Sequence, residues 1–203
     1  MFEIFGKTEL AAVASIRLRS GKPAFFTLAA TLLLTACSTV GDAADTLGAA
    51  MRTVEEPPVT VPHALMRITT NGYTWVQPGK TCESMGNSRG GLAVAGNPIY
   101  IGAPSLRGQV RGVSGEAPQG LTSGELRLVA GEPQVLVLME SWRSGDKQYN
   151  CRIARSFVPE AGAQYQMLML KDTATSRCGL LVTQILPTPA LVPTAEAPKC
   201  SKD

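Results

Sequence analysis

The chain has a single histidine, His63, in 203 residues. A Ser-His-Asp arrangement would have only that imidazole as its base. His63 borders a Pro-punctuated, flexible stretch, a poor place to hold a catalytic ring, so it reads as a surface residue. No C-x-x-C spacing occurs, and with one histidine the ligand sets of a zinc site are missing. The nucleophile elbow G-x-S-x-G is also missing, since Gly112-Val113-Ser114-Gly115-Glu116 fails at its fifth position. Pro78-Gly79-Lys80-Thr81 has the ending of a phosphate-binding loop, but Thr74 stands where the first glycine is needed, so it reads as a turn. Aromatic residues are only 5% of the chain, and Tyr73, Trp75, Trp142, Tyr149 and Tyr165 are assigned to the core and the sheet edges rather than to a ligand groove. Met66, Met85, Met139, Met167 and Met169 are read in the same way as core fillers. The apolar run at 24–34 is too short to cross a bilayer as a helix, which takes roughly 20 residues.

That short run has another reading. Arg17, Arg19 and Lys22 precede it, and the small residues Thr35 and Ala36 lead from it to Cys37. Cationic region, apolar region of about 7–15 residues, small residues and cysteine follow one another as in a secretory signal. Leu34-Thr35-Ala36-Cys37 resembles the lipobox of diderm bacterial lipoproteins. The resemblance implies cleavage before Cys37 and acylation of that cysteine, with no other cofactor. Several acyl chains anchor firmly, since each buried methylene contributes about 0.8 kcal/mol. Ser38, where inner-membrane retention uses Asp, implies sorting to the outer membrane; the face is not encoded, and the periplasmic one is expected.

Loss of residues 1–36 removes Lys7, Arg17, Arg19 and Lys22 together with Glu3 and Glu9, so the net charge falls from +3 to about +1. Such a balance gives no electrostatic case for nucleic acid. Of five cysteines, Cys37 is taken by lipid, and Cys82, Cys151, Cys178 and Cys200 read as two disulfides in an oxidising compartment.

Four segments follow along the chain: a signal peptide at 1–36, a lipidated flexible tether at 37–62, a β-sandwich domain at 63–187, and a Pro/Ala-rich tail at 188–203 pinned by Cys200. Within the domain, 64–70 and 73–77 are β-rich and flank Asn71-Gly72, a hairpin signal. Short apolar strands are expected at 92–95 and 99–101. The segment 125–129 alternates, with Leu126 and Leu128 on one face and Arg127 on the other. The segment 134–140 reads as a strand buried on both faces. Strands at 148–158, 163–171 and 177–186 follow at short intervals, which predicts an antiparallel meander. The fold class is all-β, a small antiparallel sandwich. The stretch 102–124 is a long loop or an irregular strand pair.

Four cysteines allow three pairings, of which Cys151–Cys178 with Cys82–Cys200 is expected. Cys151 and Cys178 fall at the same end of the meander. In a simple meander the intervening strand would hold them two spacings apart, about 9.5 Å, beyond the roughly 7 Å a disulfide tolerates. The pair therefore requires that strand to end early, or the two cysteine strands to lie in different sheets.

The run Cys151, Phe157, Pro159, Gly162, Tyr165, Cys178 has the form C…F-x-P-x-x-G-x-x-Y…C, and Arg67-Ile68, Asn71-Gly72, Pro78-Gly79 and Cys82 precede it. This pattern resembles a group of uncharacterised proteobacterial outer-membrane lipoproteins. The resemblance implies a small β-sandwich and carries no activity.

Functionally, Glu83, Glu116, Glu125, Glu132, Glu140 and Glu160 could in principle supply a carboxylate pair, but most sit in turns or at strand ends, where solvated carboxylates are the norm. The expectation is a non-enzymatic structural or assembly role in the envelope, with membrane lipid, and an envelope protein of unknown kind, as partners. The alternatives are a binding or inhibitor module, using 86–91 or 102–124 as its loop, and an envelope hydrolase.

The anchor is directly testable. Wild-type protein extracted from membranes should yield an N-terminal peptide carrying the mass of lipid on Cys37, and Cys37→Ser should remain an uncleaved, unlipidated precursor. An unmodified Cys37 in the wild-type membrane fraction would remove the basis for the whole localisation.

Overall fold

The computed structural model describes residues 52–84, 86–96 and 105–201. The signal peptide, Cys37, Ser38, Met85 and the strand expected at 99–101 lie outside them. Within them the chain is all-β, without helix, and folds as two packed five-stranded sheets. The strands are β1 His63–Thr70, β2 Tyr73–Pro78, β3 Gly91–Ala95, β4 Thr122–Val129, β5 Gln134–Ser144, β6 Lys147–Phe157, β7 Gln164–Asp172, β8 Arg177–Leu186, β9 Ala190–Leu191 and β10 Ala195–Glu196. Sheet one runs β4-β1-β7-β8-β9 and sheet two runs β10-β6-β5-β2-β3. All neighbours are antiparallel except β1 and β7, which are parallel.

Period-two alternation builds the core. Met66 and Ile68 on β1, Leu126 and Leu128 on β4, and Tyr165, Met167 and Met169 on β7 face Val76 on β2 and Leu136 and Leu138 on β5. Each such fully buried side chain contributes about 1.5–3 kcal/mol. β5 is buried on its other face too. There Val135 and Val137 join Trp75, Leu92 and Ala197 in a second cluster. Two further segments are tied to this outer face. Ser84 N–H donates to Gln77 Oε1 at 2.8 Å, and Ala197 N–H donates to Ala154 O at 3.1 Å. The two segments are joined to each other by Glu83 N–H to Pro198 O at 2.7 Å, Cys200 N–H to Glu83 O at 2.9 Å, and the Cys82–Cys200 disulfide.

Two expectations about connectivity need correction. The strands flanking Asn71-Gly72 do not form a hairpin, because β1 lies in sheet one and β2 in sheet two. The Asn71 side chain instead extends the β1–β7 ladder: its Nδ2 donates to Lys171 O at 2.9 Å, and Lys171 N–H donates to its Oδ1 at 2.8 Å. Gly72 serves close approach, since a Cβ there would lie 3.0 Å from Leu138 Cδ1. Nor do the last four long strands form one meander. β5–β6 and β7–β8 are hairpins in different sheets, and the chain crosses between the sheets at 158–163.

That crossing explains the F-x-P-x-x-G-x-x-Y run. Phe157 ends β6 and packs edge-on against Tyr165 on β7, with ring centroids 5.4 Å apart. Tyr165 Oη accepts from Glu160 N–H at 3.0 Å. Gly162 turns with φ 73° and its N–H donates to His63 O at 2.9 Å, which ties the corner to β1. The motif is a corner that moves the chain from one sheet to the other.

With β6 and β8 in different sheets, the disulfides are Cys151–Cys178, at a Cα separation of 6.2 Å, and Cys82–Cys200 at 5.0 Å. These are the two pairs anticipated, with the cysteine strands in different sheets. Glu140 is the register partner of Cys151, and Lys171 that of Cys178. Glu140 and Lys171 form an ion pair of 2.9 Å, so a second cross-sheet link stands beside the disulfide.

The terminal segments also span the sheets. Residues 52–58, expected in the tether, form a strap on one side. Leu92 N–H on β3 donates to Arg52 O at 2.7 Å, and Val54 N–H donates back to Leu92 O at 3.3 Å. The same segment reaches β4, where Arg127 N–H donates to Glu56 Oε2 at 2.9 Å. Val54 belongs to the core. Gly91 lies directly under this strap, because a Cβ there would collide with the backbone of Arg52 and Thr53. On the opposite side, β9 pairs with β8 of sheet one and β10 with β6 of sheet two. The segment expected as a tail is thus a second strap.

Two outcomes follow. Cys151→Ser with Cys178→Ser should lower unfolding free energy by about 3 kcal/mol, from the loop that the bridge closes across a separation of 27 residues. Tyr165→Phe should cost about 1 kcal/mol for the lost corner hydrogen bond. Denaturant titration of the oxidised protein reads both, and an unchanged midpoint for the cysteine pair would deny the bridge its role in stability.

Candidate functional site

The ionisable side chains resolve first. Arg67 on β1 and Glu125 on β4 form a buried pair at 2.7 Å, with side chains 8% and 5% exposed. A buried ion pair survives only when its remaining hydrogen-bonding positions are filled. Glu125 Oε2 accepts backbone N–H groups of Arg111, Gly112 and Val113 at 2.6, 2.8 and 3.1 Å. Arg67 donates to Val113 O at 2.6 Å and to Ser114 O at 3.3 Å. Next to this pair, Glu56 binds Arg111 at 2.8 Å and lies 3.5 Å from Arg127. The network fastens the segment 109–114 and the N-terminal strap to the outer face of sheet one.

The glutamates considered as a catalytic pair fall mostly into such ties. Glu83 pairs with Arg152, Glu125 with Arg67, Glu132 with Arg89 and Glu140 with Lys171. Glu116 and Glu160 are exposed. His63 Nδ1 lies 2.7 Å from Val61 O, on a half-buried ring. Among the described residues no group of three His, Cys, Asp or Glu side chains is placed to hold a metal. Of the two candidate loops, 86–91 is a tight turn: Asn87 Nδ2 donates to Pro78 O at 2.8 Å and Gly90 N–H to Asn87 O at 3.1 Å. In the other, the described residues are fastened from Leu106 to Ser114, and 115–120 are exposed apart from the half-buried Ala117, with Gly115 and Gly120 at φ 77° and 76°. The aromatics divide. Trp75 and Tyr165 are buried, and Trp142 stacks on Tyr149 with centroids 5.6 Å apart.

A pocket of about 290 Å³ lies where the N-terminal strap passes from β3 to β4. Val54 and Pro57 of the strap, Val61 just after it, Pro78 and Leu128 give it apolar walls. Arg89 and Glu132, paired with each other, border it, as do Glu56 and Arg127. Gln134, at the start of β5, also lines it and is fully buried. Gln134 Nε2 donates to Glu132 O at 3.2 Å, but Gln134 Oε1 accepts nothing. A buried amide oxygen without a donor is costly, about 1–3 kcal/mol. Neither Gln134 nor the pocket was legible in the sequence. A glutamine opening a buried β-strand, Gln134 before Val135-Leu136-Val137-Leu138, is the signal that marks it.

Comparison with known proteins finds that no family model matches the chain, and no curated protein matches it. The site therefore rests on its own geometry.

Burial pushes the Glu125 carboxyl up, but the Arg111 and Val113 amides, Arg67 and the Gly112 amide together hold it below its ordinary 4.5. Burial likewise raises Glu56, and Arg111 and Arg127 bring it below 4.5. The unfolded chain thus takes up these protons first on acidification. Their stabilisation is present above about pH 4.5 and is lost as the pH falls through the lowered folded values. Glu125→Gln should therefore lose about 3–5 kcal/mol at neutral pH by leaving Arg67 buried and unpaired. It should also flatten the acid limb of stability against pH. Urea titrations from pH 7 to 3 measure both, and an unaltered acid limb would refute the assignment.

Proposed function

We propose that the protein is an outer-membrane lipoprotein whose role in the envelope is structural or in assembly, and not enzymatic. The observation that carries this reading is the division of the cysteines. Cys82, Cys151, Cys178 and Cys200 are paired, which leaves Cys37 as the odd one of five, and it stands in the lipobox. Two disulfides suit an oxidising compartment outside the cytosol. Residues 38–51 separate Cys37 from the strap. A rigid, cross-linked head tethered to a lipid surface suits a spacer, a stop or a docking body. The engagement of four of the six candidate glutamates in ion pairs supports a non-enzymatic role.

A second reading, a binding or inhibitor module, draws on the exposed stretch 115–120 next to a segment fastened by Glu125. Such a loop presents an exposed surface on a fixed base.

Complementation of a deletion strain, scored by detergent sensitivity, tests the first reading. Glu116→Gln and Glu160→Gln should complement fully, whereas a secreted form with Cys37→Ala and a conventional cleavage site should not. Loss of complementation by either carboxamide variant at normal abundance would instead favour the hydrolase, and full rescue by the secreted form would count against an anchored role.

A further inference from the structure

We propose that the groove between the β6–β7 corner and the second strap docks an arginine side chain of a protein partner. The groove has a volume of about 300 Å³. Phe157 and Tyr165, both buried, line it from the corner. Val158 of the corner and Leu191 of the strap also line it, and they are 55% and 66% exposed, so an apolar rim stands in solvent. Glu160 is the only charged residue of the lining. It takes part in no ion pair among the described residues, and it is exposed, so an incoming group can reach it. Gln184, half-buried, lines the groove as well: its Nε2 donates to Thr188 O at 3.4 Å, and its Oε1 is a further acceptor. Apolar walls with acceptors and one uncompensated negative charge call for an apolar stem that ends in several donors and a positive charge. Arginine has that form. Its methylenes cover apolar surface while the charged head stays in water at the rim, and its planar fork of donors matches a carboxylate.

The volume is at the low end of ligand pockets, roughly 300–1,000 Å³. It suits one side chain, and only a larger body would also cover Val158 and Leu191 on the rim. Arginine anchors ringed by contacts that exclude water are common hot spots of protein interfaces. The carboxylate is carried on fixed backbone. Glu160 N–H donates to Tyr165 Oη at 3.0 Å, Ala163 N–H donates to Glu160 O at 3.2 Å, and Gly131 N–H donates to Pro159 O at 2.8 Å. Little loop ordering is then left to oppose binding. The F-x-P-x-x-G-x-x-Y run builds the corner with its named residues and presents Val158 and Glu160 from its variable positions. The site is independent of the structural role proposed above: Glu160→Gln is expected to weaken this binding and still to complement.

Calorimetry on the full mature protein decides between outcomes. The peptide acetyl-Leu-Arg-Leu-amide should bind saturably. Its citrulline counterpart, similar in shape but uncharged, should bind about fivefold more weakly, the upper range for an exposed ion pair. That preference should shrink in about 0.5 M salt, which screens exposed charges. Glu160→Gln should remove the preference for arginine, and Leu191→Ser should weaken both peptides alike. Both side chains are exposed, so the melting temperature should hold in each variant. Should Leu191→Ser disturb the strap, Val158→Ser on the other part of the rim serves in its place. n-Butylguanidine, a free cation of the same chemistry, should bind more weakly than the arginine peptide, because it leaves the rim uncovered. Equal binding of n-butylguanidine and the peptide would assign the groove to a free cation and overturn the proposal. Phosphatidylcholine vesicles that displace the peptide would assign the rim to lipid and also overturn it. So would equal affinity for the arginine and citrulline peptides, no saturable binding of either, or an arginine preference that survives Glu160→Gln.

Discussion

The gap between the two sheets is the constraint around which the rest of this molecule is organised. Each sheet hides one face against the other, and the chain crosses between them repeatedly, so the sheets have to be held in register across their shared core. At one end this is done twice within two neighbouring register positions, by Cys151–Cys178 and by Glu140–Lys171. On the flanks it is done by backbone: the segment 52–58 joins β3 to β4, and β9 and β10 join β8 to β6. At the turn between β6 and β7 it is done by an aromatic corner, Phe157 against Tyr165. Losing one of these links leaves the others, and the core residues between them remain in contact.

The flanking segments also settle a hazard of open sheets, whose edge strands present unpaired N–H and C=O groups to other chains. β4 has its outer edge met by Gly108 N–H on Ser123 O at 2.9 Å and by Gln109 O accepting from Glu125 N–H at 2.9 Å. β3 is met by the strap, and by Leu106 N–H on Ala93 O at 2.7 Å. Gly124 is small because the Leu106 carbonyl lies against it, as Gly91 is small beneath the strap. The remaining edges, β9 and β10, are two residues long each. A short edge strand offers little template for further pairing.

The strands were legible because burial imposes a period of two that survives in the amino-acid order. Leu126 and Leu128, Met167 and Met169, and the doubly buried run from Val135 to Leu138 could be read from their neighbours alone. Sheet membership was not legible in that way. Asn71-Gly72 has the chemistry of a hairpin, yet it is used to finish a ladder with Lys171 and to clear Leu138, because what decides the partner is the opposite sheet and not the local pair. The straps were missed for a related reason. Residues 52–58 attach through backbone groups and through Glu56, and backbone hydrogen bonding leaves no periodic trace. Gln134 and the pocket depend on those straps, so they could not be read before them. The cysteines carried more than the strands did. Requiring Cys151 and Cys178 to meet left two arrangements, a shortened middle strand or separate sheets, and the fold takes the second.

The first strap has a mechanical consequence. In a chain anchored at Cys37, as proposed, tension would reach the described residues at Arg52. It is borne first by the hydrogen bonds that join Arg52 and Val54 to Leu92 and Glu55 to Arg89. Val54 and Pro57, on this same segment, also form a wall of the pocket over Gln134. Pulling on the chain would therefore also draw away this wall and uncover the apolar side chains beneath it.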